Sequence, residues 1–322
     1  MNRPSHRGAA LLVAMLTVAL VAAFATAAIW RQWRGTEVEA ADRARVQSGW
    51  ILTGALDWAR LILREDRNSD GTDSLSEPWA VPLKEARLST FLAADRDNNM
   101  DAGTEADDVF LSGEISDLQA RLNLNNLVAG NAIQPQWLES FQRLFDVLGL
   151  PQAQLDALAE NLRFAGDTSA DNRNAARAPL KPQRIEQLAW LGVPADVIAT
   201  LAPYVTLIPS PVATPVNLNT ASAEAIYAVG RKLSLADANR LVAERAQQHF
   251  RTLADAARLV PGASFDPSLA GVSTSYFQVR GRLRLDDAVV EERSMVQRMG
   301  LNVRTLRRER GSFAATLPPP VR

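Results

Sequence analysis

Residues 7–30 read RGAALLVAMLTVALVAAFATAAIW, and no charge interrupts the run from Ala9 to Trp30. As a helix rising ~1.5 Å per residue, a run of about 22 residues spans roughly 33 Å, enough to cross a hydrocarbon core. Arg3, His6 and Arg7 precede it, and Arg31 and Arg34 follow it. The run alone leaves three readings open. It is a plain transmembrane anchor, the core of a signal peptide with Ala25, Ala27 and Ala28 as small residues near its end, or an anchor whose basic leader is removed on the cytoplasmic side. No proline occurs between Ala9 and Arg64. Beyond the apolar run, Val38, Ala41, Ala44, Leu52, Ala55, Leu56, Ala59, Ile62 and Leu63 recur at three- and four-residue spacing, which predicts one helix continuing to about Arg64.

The rest of the chain divides by its hydrophobic period. A strand is expected near Leu88–Phe91, and two alternating runs, Val109–Ile115 and Leu118–Leu124, read as half-buried strands. From about 128 to 270 the period is helical. Trp137, Leu138, Phe141, Leu144, Phe145 and Leu148 form one apolar face, closed by Gly149 and Pro151, and Leu155, Leu158 and Leu162 form another. Shorter helices are expected at 185–190, 197–201, 223–229, 235–247 and 253–259, with a polar loop over 167–182. Alternation returns over 276–285, 288–298 and 301–306. Strands flanking a helical block imply an α+β fold: a long N-terminal helix packed on a small antiparallel sheet, with a large all-α domain inserted between strands. The boundaries are 1–8 for a leader, 9–30 for the transmembrane segment, 31–127 and 271–310 for the two parts of the sheet domain, 128–270 for the insertion and 311–322 for a disordered tail.

Composition removes several functions. The 322 residues carry 35 Lys and Arg against 36 Asp and Glu, so no bulk positive charge is available to coat nucleic acid. There is no cysteine, which removes disulfides and thiolate chemistry. Only two histidines occur, His6 and His249, and no Gly-rich phosphate loop, H-E-x-x-H or plausible triad accompanies them, so no enzyme activity is expected.

Asp66–Glu77 fits D-x-[DN]-x-[DN]-G-x5-E, the oxygen spacing of a calcium loop, with Asp66, Asn68, Asp70, Thr72 (through its carbonyl) and Glu77 as ligands and Gly71 for the turn. Asp73 stands where such loops carry an apolar residue, and Pro78 disfavours an exit helix, so an isolated structural loop is expected. Asp95, Asp97, Asn99, Asp101 and Asp107 form a looser second cluster. A solvated acidic loop with Asx turns is the alternative for both.

The leader ending in Gly8 ahead of an apolar run resembles a prepilin signal, with cleavage between Gly8 and Ala9. Together with Glu77-Pro78-Trp79-Ala80, the run Ile115–Leu127, Val216-Asn-Leu-Asn-Thr-Ala221 and Tyr276-Phe-Gln-Val-Arg280, in that order around a helical insertion, the chain resembles the K-type minor pseudopilins of type II secretion. The resemblance implies a single-pass inner-membrane protein with its bulk in the periplasm. It implies a place at the tip of the pseudopilus with the I- and J-type minor pseudopilins, priming assembly and supporting export of folded proteins. A prepilin peptidase would remove the leader and methylate Ala9, and the exoprotein and the outer-membrane channel are further implied contacts. Most pilins carry Glu at the fifth mature position; here that position is Val13, as suits a tip subunit. Family members bind structural calcium outside the helical region.

The rival reading is a membrane-anchored helix-hairpin-helix protein for DNA binding or uptake, resting on Val216–Ser222 and the helices after it. Residues 128–270 hold 12 Lys and Arg and 13 Asp and Glu, so the phosphate-neutralising surface such a role needs is not expected, and neither is a nucleic-acid partner.

Overall fold

The computed structural model describes residues 7–66, 71–89, 109–167, 169, 173–285 and 288–311. Two compact units, 1–54 and 55–322, divide the chain. The first unit, where described, is helical throughout and belongs to helix α1, Arg7–Asp66. The absence of proline allows an uninterrupted ladder of main-chain bonds.

In the second unit, α1 ends at Asp66 and the chain turns at Gly71, whose φ of 80° suits glycine. Strand β1 is Leu83–Arg87 and β2 is Val109–Asp117. The first strand therefore lies before the Leu88–Phe91 stretch, because Leu83 and Ala86, not Leu88, pair with β2. The second alternating run is not a strand of this sheet. Residues Leu118–Ala120 form a 3-10 turn, and only Leu122–Asn123 (β3) is extended. The chain leaves the sheet after Asp117, and Leu122, Leu124 and Leu127 already pack in the helical core.

Helices α2 (Pro135–Val147) and α3 (Gln152–Gly166) follow. Gly149, at φ 67°, ends α2 with paired bonds from Gly149 N to Asp146 O and from Leu150 N to Phe145 O. A 3-10 segment, Ile185–Leu191, leads to α4 (Ala195–Leu201) and β4 (Val205–Thr206). Next come β5 (Val216–Asn217), α5 (Ala223–Val229), α6 (Leu235–Gln247), α7 (Leu253–Leu259) and β6 (Ala270–Gly271). One apolar core joins these helices, centred on Phe141, Leu144, Phe145, Leu155, Leu158, Ile226 and Leu241.

The helical block holds the same short plan twice. Strand β3 pairs in parallel with β4, and β5 pairs in parallel with β6, each pair enclosing its helices. Each opens on a similar sequence, Leu122-Asn-Leu-Asn-Asn126 and Val216-Asn-Leu-Asn-Thr220. Buried asparagines in both sequences bind backbone of later segments. The Asn123 amide accepts from Ile208 N at 3.0 Å and donates to Ile208 O at 3.1 Å. Asn126 grips Thr214 in the same way, and Asn219 grips Phe250. An amide taken out of water costs free energy unless both its halves are bonded, and these three are.

The chain then returns to the sheet as β7 (Tyr276–Leu285), β8 (Ala288–Met299) and β9 (Asn302–Gly311). The sheet order is β1-β2-β7-β8-β9, antiparallel throughout. Strand β7 lies beside β2, pairing Phe277 with Asp117 and Leu285 with Val109, so the helical block is inserted between neighbouring central strands. Alternation gives the sheet two faces. Phe277, Val279, Val296 and Val303 pack with Leu56, Ala59 and Leu63 of α1 and with Trp79. The Trp79 and Phe277 rings meet edge to face at 5.2 Å. On the other face, Tyr276 and Met295 pack with Leu118 and Ile208.

Candidate cation loop and the polar junction

The apolar part of α1 is a candidate membrane anchor. Its most apolar 18-residue window has mean hydropathy 2.5 and none of it is buried. Exposing side chains such as Leu16 and Val18 to water along a whole helix is unfavourable, whereas a bilayer accepts them.

The loop after α1 brings three carboxylates together. Carboxylate oxygens of Asp66, Asp73 and Glu77 lie within 4.8 Å of one another. Of the first expected ligand set, Asp66 and Glu77 are brought together. Thr72 is buried beside them in sequence, while Asn68 and Asp70 lie outside the described residues. The whole second set, Asp95, Asp97, Asn99, Asp101 and Asp107, also lies outside the described residues. Asp73, the odd residue of the pattern, points inward and supplies the third carboxylate of the cluster.

Arg298 stands among these groups. Its Nη1 donates to Asp66 Oδ2 at 2.9 Å, and its Nη2 donates to Asp73 Oδ1 and to Thr274 O. Its guanidinium also lies 4.9 Å from the centre of the Phe277 ring. Sequence reading missed Arg298, though a signal existed. It is two residues from Val296 on the face that packs against α1, and an arginine at an inward position needs buried partners.

Among the described residues, three carboxylates here face one guanidinium. Glu77 registers this: burial, with Asp66 and Asp73 nearby, pushes its carboxyl up to about 7 against the opposing hydrogen bond from Trp79. A hard divalent cation seeks several oxygens at 2.3–2.6 Å, and this donor set of carboxylates, with Gly71 supplying the turn, is of the right chemistry.

Asp73 also reaches the helical block. Its main-chain N donates to Val272 O at 3.1 Å, its Oδ2 accepts from Thr274 N at 2.7 Å, and its carbonyl accepts from Asn217 Nδ2 at 3.0 Å. The same Asn217 amide donates to Asp117 Oδ2 at 2.9 Å, which accepts from Thr220 Oγ1 at 2.6 Å as well. Asp117 Oδ1 accepts from Gln119 N at 2.7 Å, and the Gln119 side chain binds Pro215 O and Ser275 N. Burial raises the Asp117 carboxyl to about 6 despite these donors. Both crossings between sheet and helical block, 117–119 and 272–275, thus pass through one buried polar junction.

The helix-hairpin-helix reading finds little support here. At the start of α6, Asp237 accepts from Ser234 N and Ser234 accepts from Asp237 N, which sets a carboxylate where a phosphate would sit. Arg143 donates to Gly230 O, capping the end of α5 and turning inward to the protein.

A family profile described as "Type II secretion system (T2SS), protein K" matches residues 216–280, and the profile for the first domain of the same protein matches 120–210. These two spans fall on the two halves of the helical block, the second running into β7. Both profiles describe type II secretion system protein K, and together they match just under half of the chain. It is 24% identical to the type II secretion system protein K of Pectobacterium carotovorum subsp. carotovorum, over 98% of this chain and 100% of that one. It is 28% identical to the protein of the same name from Aeromonas hydrophila, over 69% and 80% of the two chains. Among solved structures it is similar to a chain of the GspK–GspI–GspJ complex from the enterotoxigenic Escherichia coli type 2 secretion system. That match has a TM-score of 0.62 at 18% identity, covering 85% of this chain and 99% of the other. The shared fold extends over nearly the full length of that chain.

Proposed function

We propose that this protein is a non-enzymatic minor pseudopilin at the tip of a type II secretion pseudopilus. The observation that carries the proposal is the fold shared with a chain of the GspK–GspI–GspJ complex, joined to an apolar helix continuous with the one that packs on the sheet. In this reading residues 9–30 hold the subunit in the inner membrane and the remainder lies in the periplasm. The I- and J-type minor pseudopilins are its partners, and together they prime the filament that drives folded proteins out. Prepilin peptidase cuts after Gly8 and methylates Ala9. Expressed in a bacterium with that peptidase, the protein is expected to yield a mature chain starting at N-methyl-Ala9 by mass spectrometry, and to co-purify with the I and J subunits. A mature chain starting at Met1, or one cut after Trp30, overturns the reading.

Calcium is proposed as a structural cofactor of the loop. Asp66, Asp73 and Glu77 would hold it, and its charge would add to that of Arg298 among their carboxylates. Millimolar calcium against EDTA is expected to raise the melting temperature of the purified protein, and Asp66→Asn with Glu77→Gln to abolish the rise.

A further inference from the structure

The calcium loop and the helical domain are far apart in sequence, yet one residue belongs to both. Asp73 offers every polar group of its main chain and side chain to another element. Its carboxylate joins Arg298 of β8 and Thr274 N, its N–H donates to Val272 O, and its carbonyl accepts from Asn217 Nδ2. Asn217 in turn opens the second half of the helical block and binds Asp117, the last residue of β2. Apart from half-buried Val272, which supplies a carbonyl, these residues are buried, Asp73 and Asn217 at 0% exposure. Buried polar groups in a closed network cannot be released one at a time without leaving a partner unsatisfied, so they open together.

We infer that the loop 71–77 and the inserted helical domain are one cooperative unit, coupled through Asp73 and Asn217, and that a divalent cation on Asp66, Asp73 and Glu77 tightens the seat of the helical domain on the sheet. The second clause rests on the cation reading above; the first does not. The physical route is short. A cation that fixes the Asp73 carboxylate also fixes its carbonyl, and that carbonyl is the acceptor that positions Asn217. With Asn217 in place, Asn219 N is bound by Asn217 Oδ1, and Leu218 N by Gly271 O. Ordering therefore passes from the loop to the turn ahead of α5 through bonds already made.

The test is hydrogen–deuterium exchange on the full chain in detergent, in EDTA and in calcium. Three proteins are compared: wild type, Asn217→Ala, and Asn161→Ala as a control. Asn161 donates to Leu191 O within the helical domain and reaches neither the loop nor the junction. In EDTA, Asn217→Ala is expected to speed exchange in the 71–77 peptide by about tenfold, although the substitution lies in the other domain, while Asn161→Ala leaves that peptide unchanged. In calcium, the wild type is expected to slow exchange across 216–221, and Asn217→Ala to lose that slowing while still binding calcium by titration calorimetry. An unchanged 71–77 peptide in Asn217→Ala overturns the coupling. Calcium binding that slows only the 66–77 region overturns the transmission. Absence of any calcium heat in the wild type defeats the cation reading and with it the second clause, while the EDTA comparison still decides the first.

Discussion

Arg298 and Asp117 show how single residues set the terms for their surroundings. Arg298 is 4% exposed and pairs with two acidic side chains that are themselves buried. Replacing it by Met leaves Asp66 and Asp73 in a low-dielectric site without their cation, and removal of one partner of such a pair costs about 3–5 kcal/mol. Urea denaturation of Arg298→Met without calcium is expected to show a loss of that size, partly restored by calcium if the cation takes over the lost charge. Asp117 carries a pH signature. Its folded carboxyl sits at about 6, above the ordinary aspartate value, so the stability it contributes is full below about pH 4 and is lost as pH rises through 6. The span corresponds to about 3 kcal/mol. Stability curves measured at pH 4 and pH 7 are expected to converge by roughly that amount in Asp117→Asn relative to wild type, since asparagine does not ionise. Neither role was legible locally. Asp73 and Arg298 meet only after the sheet closes, and the pattern that drew attention to Asp66–Glu77 ranked Asp73 as a misfit. Period two does mark Arg298 as inward-facing, and that is the signal by which it could have been found.

At the scale of elements, the sequence spoke clearly where one period ran undisturbed. The faces of α2 and α3 and strand β7 carry it, because each buries one continuous face, while the apolar run of α1 is legible by its length without charge. Reading failed at Leu118–Leu124, where Leu and polar residues alternate as in a strand. Here the polar residue is also inside: Asn123 is 1% exposed and bound on both halves of its amide to Ile208. Alternation identifies a strand only when polar side chains face water, and an asparagine that grips a backbone breaks that premise. The hairpin between α5 and α6 makes a sharper case. A Cβ on Gly230 would lie 2.7 Å from Leu233 Cδ2, 3.0 Å from Phe265 Cε1 and 3.2 Å from Ile226 O. Gly230→Ala is expected to destabilise the helical domain by about 1–3 kcal/mol, read from its urea midpoint, because the nearby backbone oxygen cannot yield as the side chains can. In α1, Val18→Arg sets a charge mid-run at a cost of about 2.5–3.5 kcal/mol for insertion. Less of that variant is expected in the alkali-resistant membrane fraction.

Across the whole chain, central strands β2 and β7 are neighbours in space with the helical block between them in sequence. That arrangement carries a consequence for how the protein is made. The loop-closure entropy for joining such distant segments is paid before their pairing returns anything, so contacts of this separation form slowly. A helical block that has already folded draws Asp117 and Thr274 to one junction and shortens the effective loop to a few residues. A block that folds first would therefore lower the cost of closing the sheet, and until β7 arrives one edge of β2 stays unpaired. During that interval the exposed edge is open to pairing with other chains.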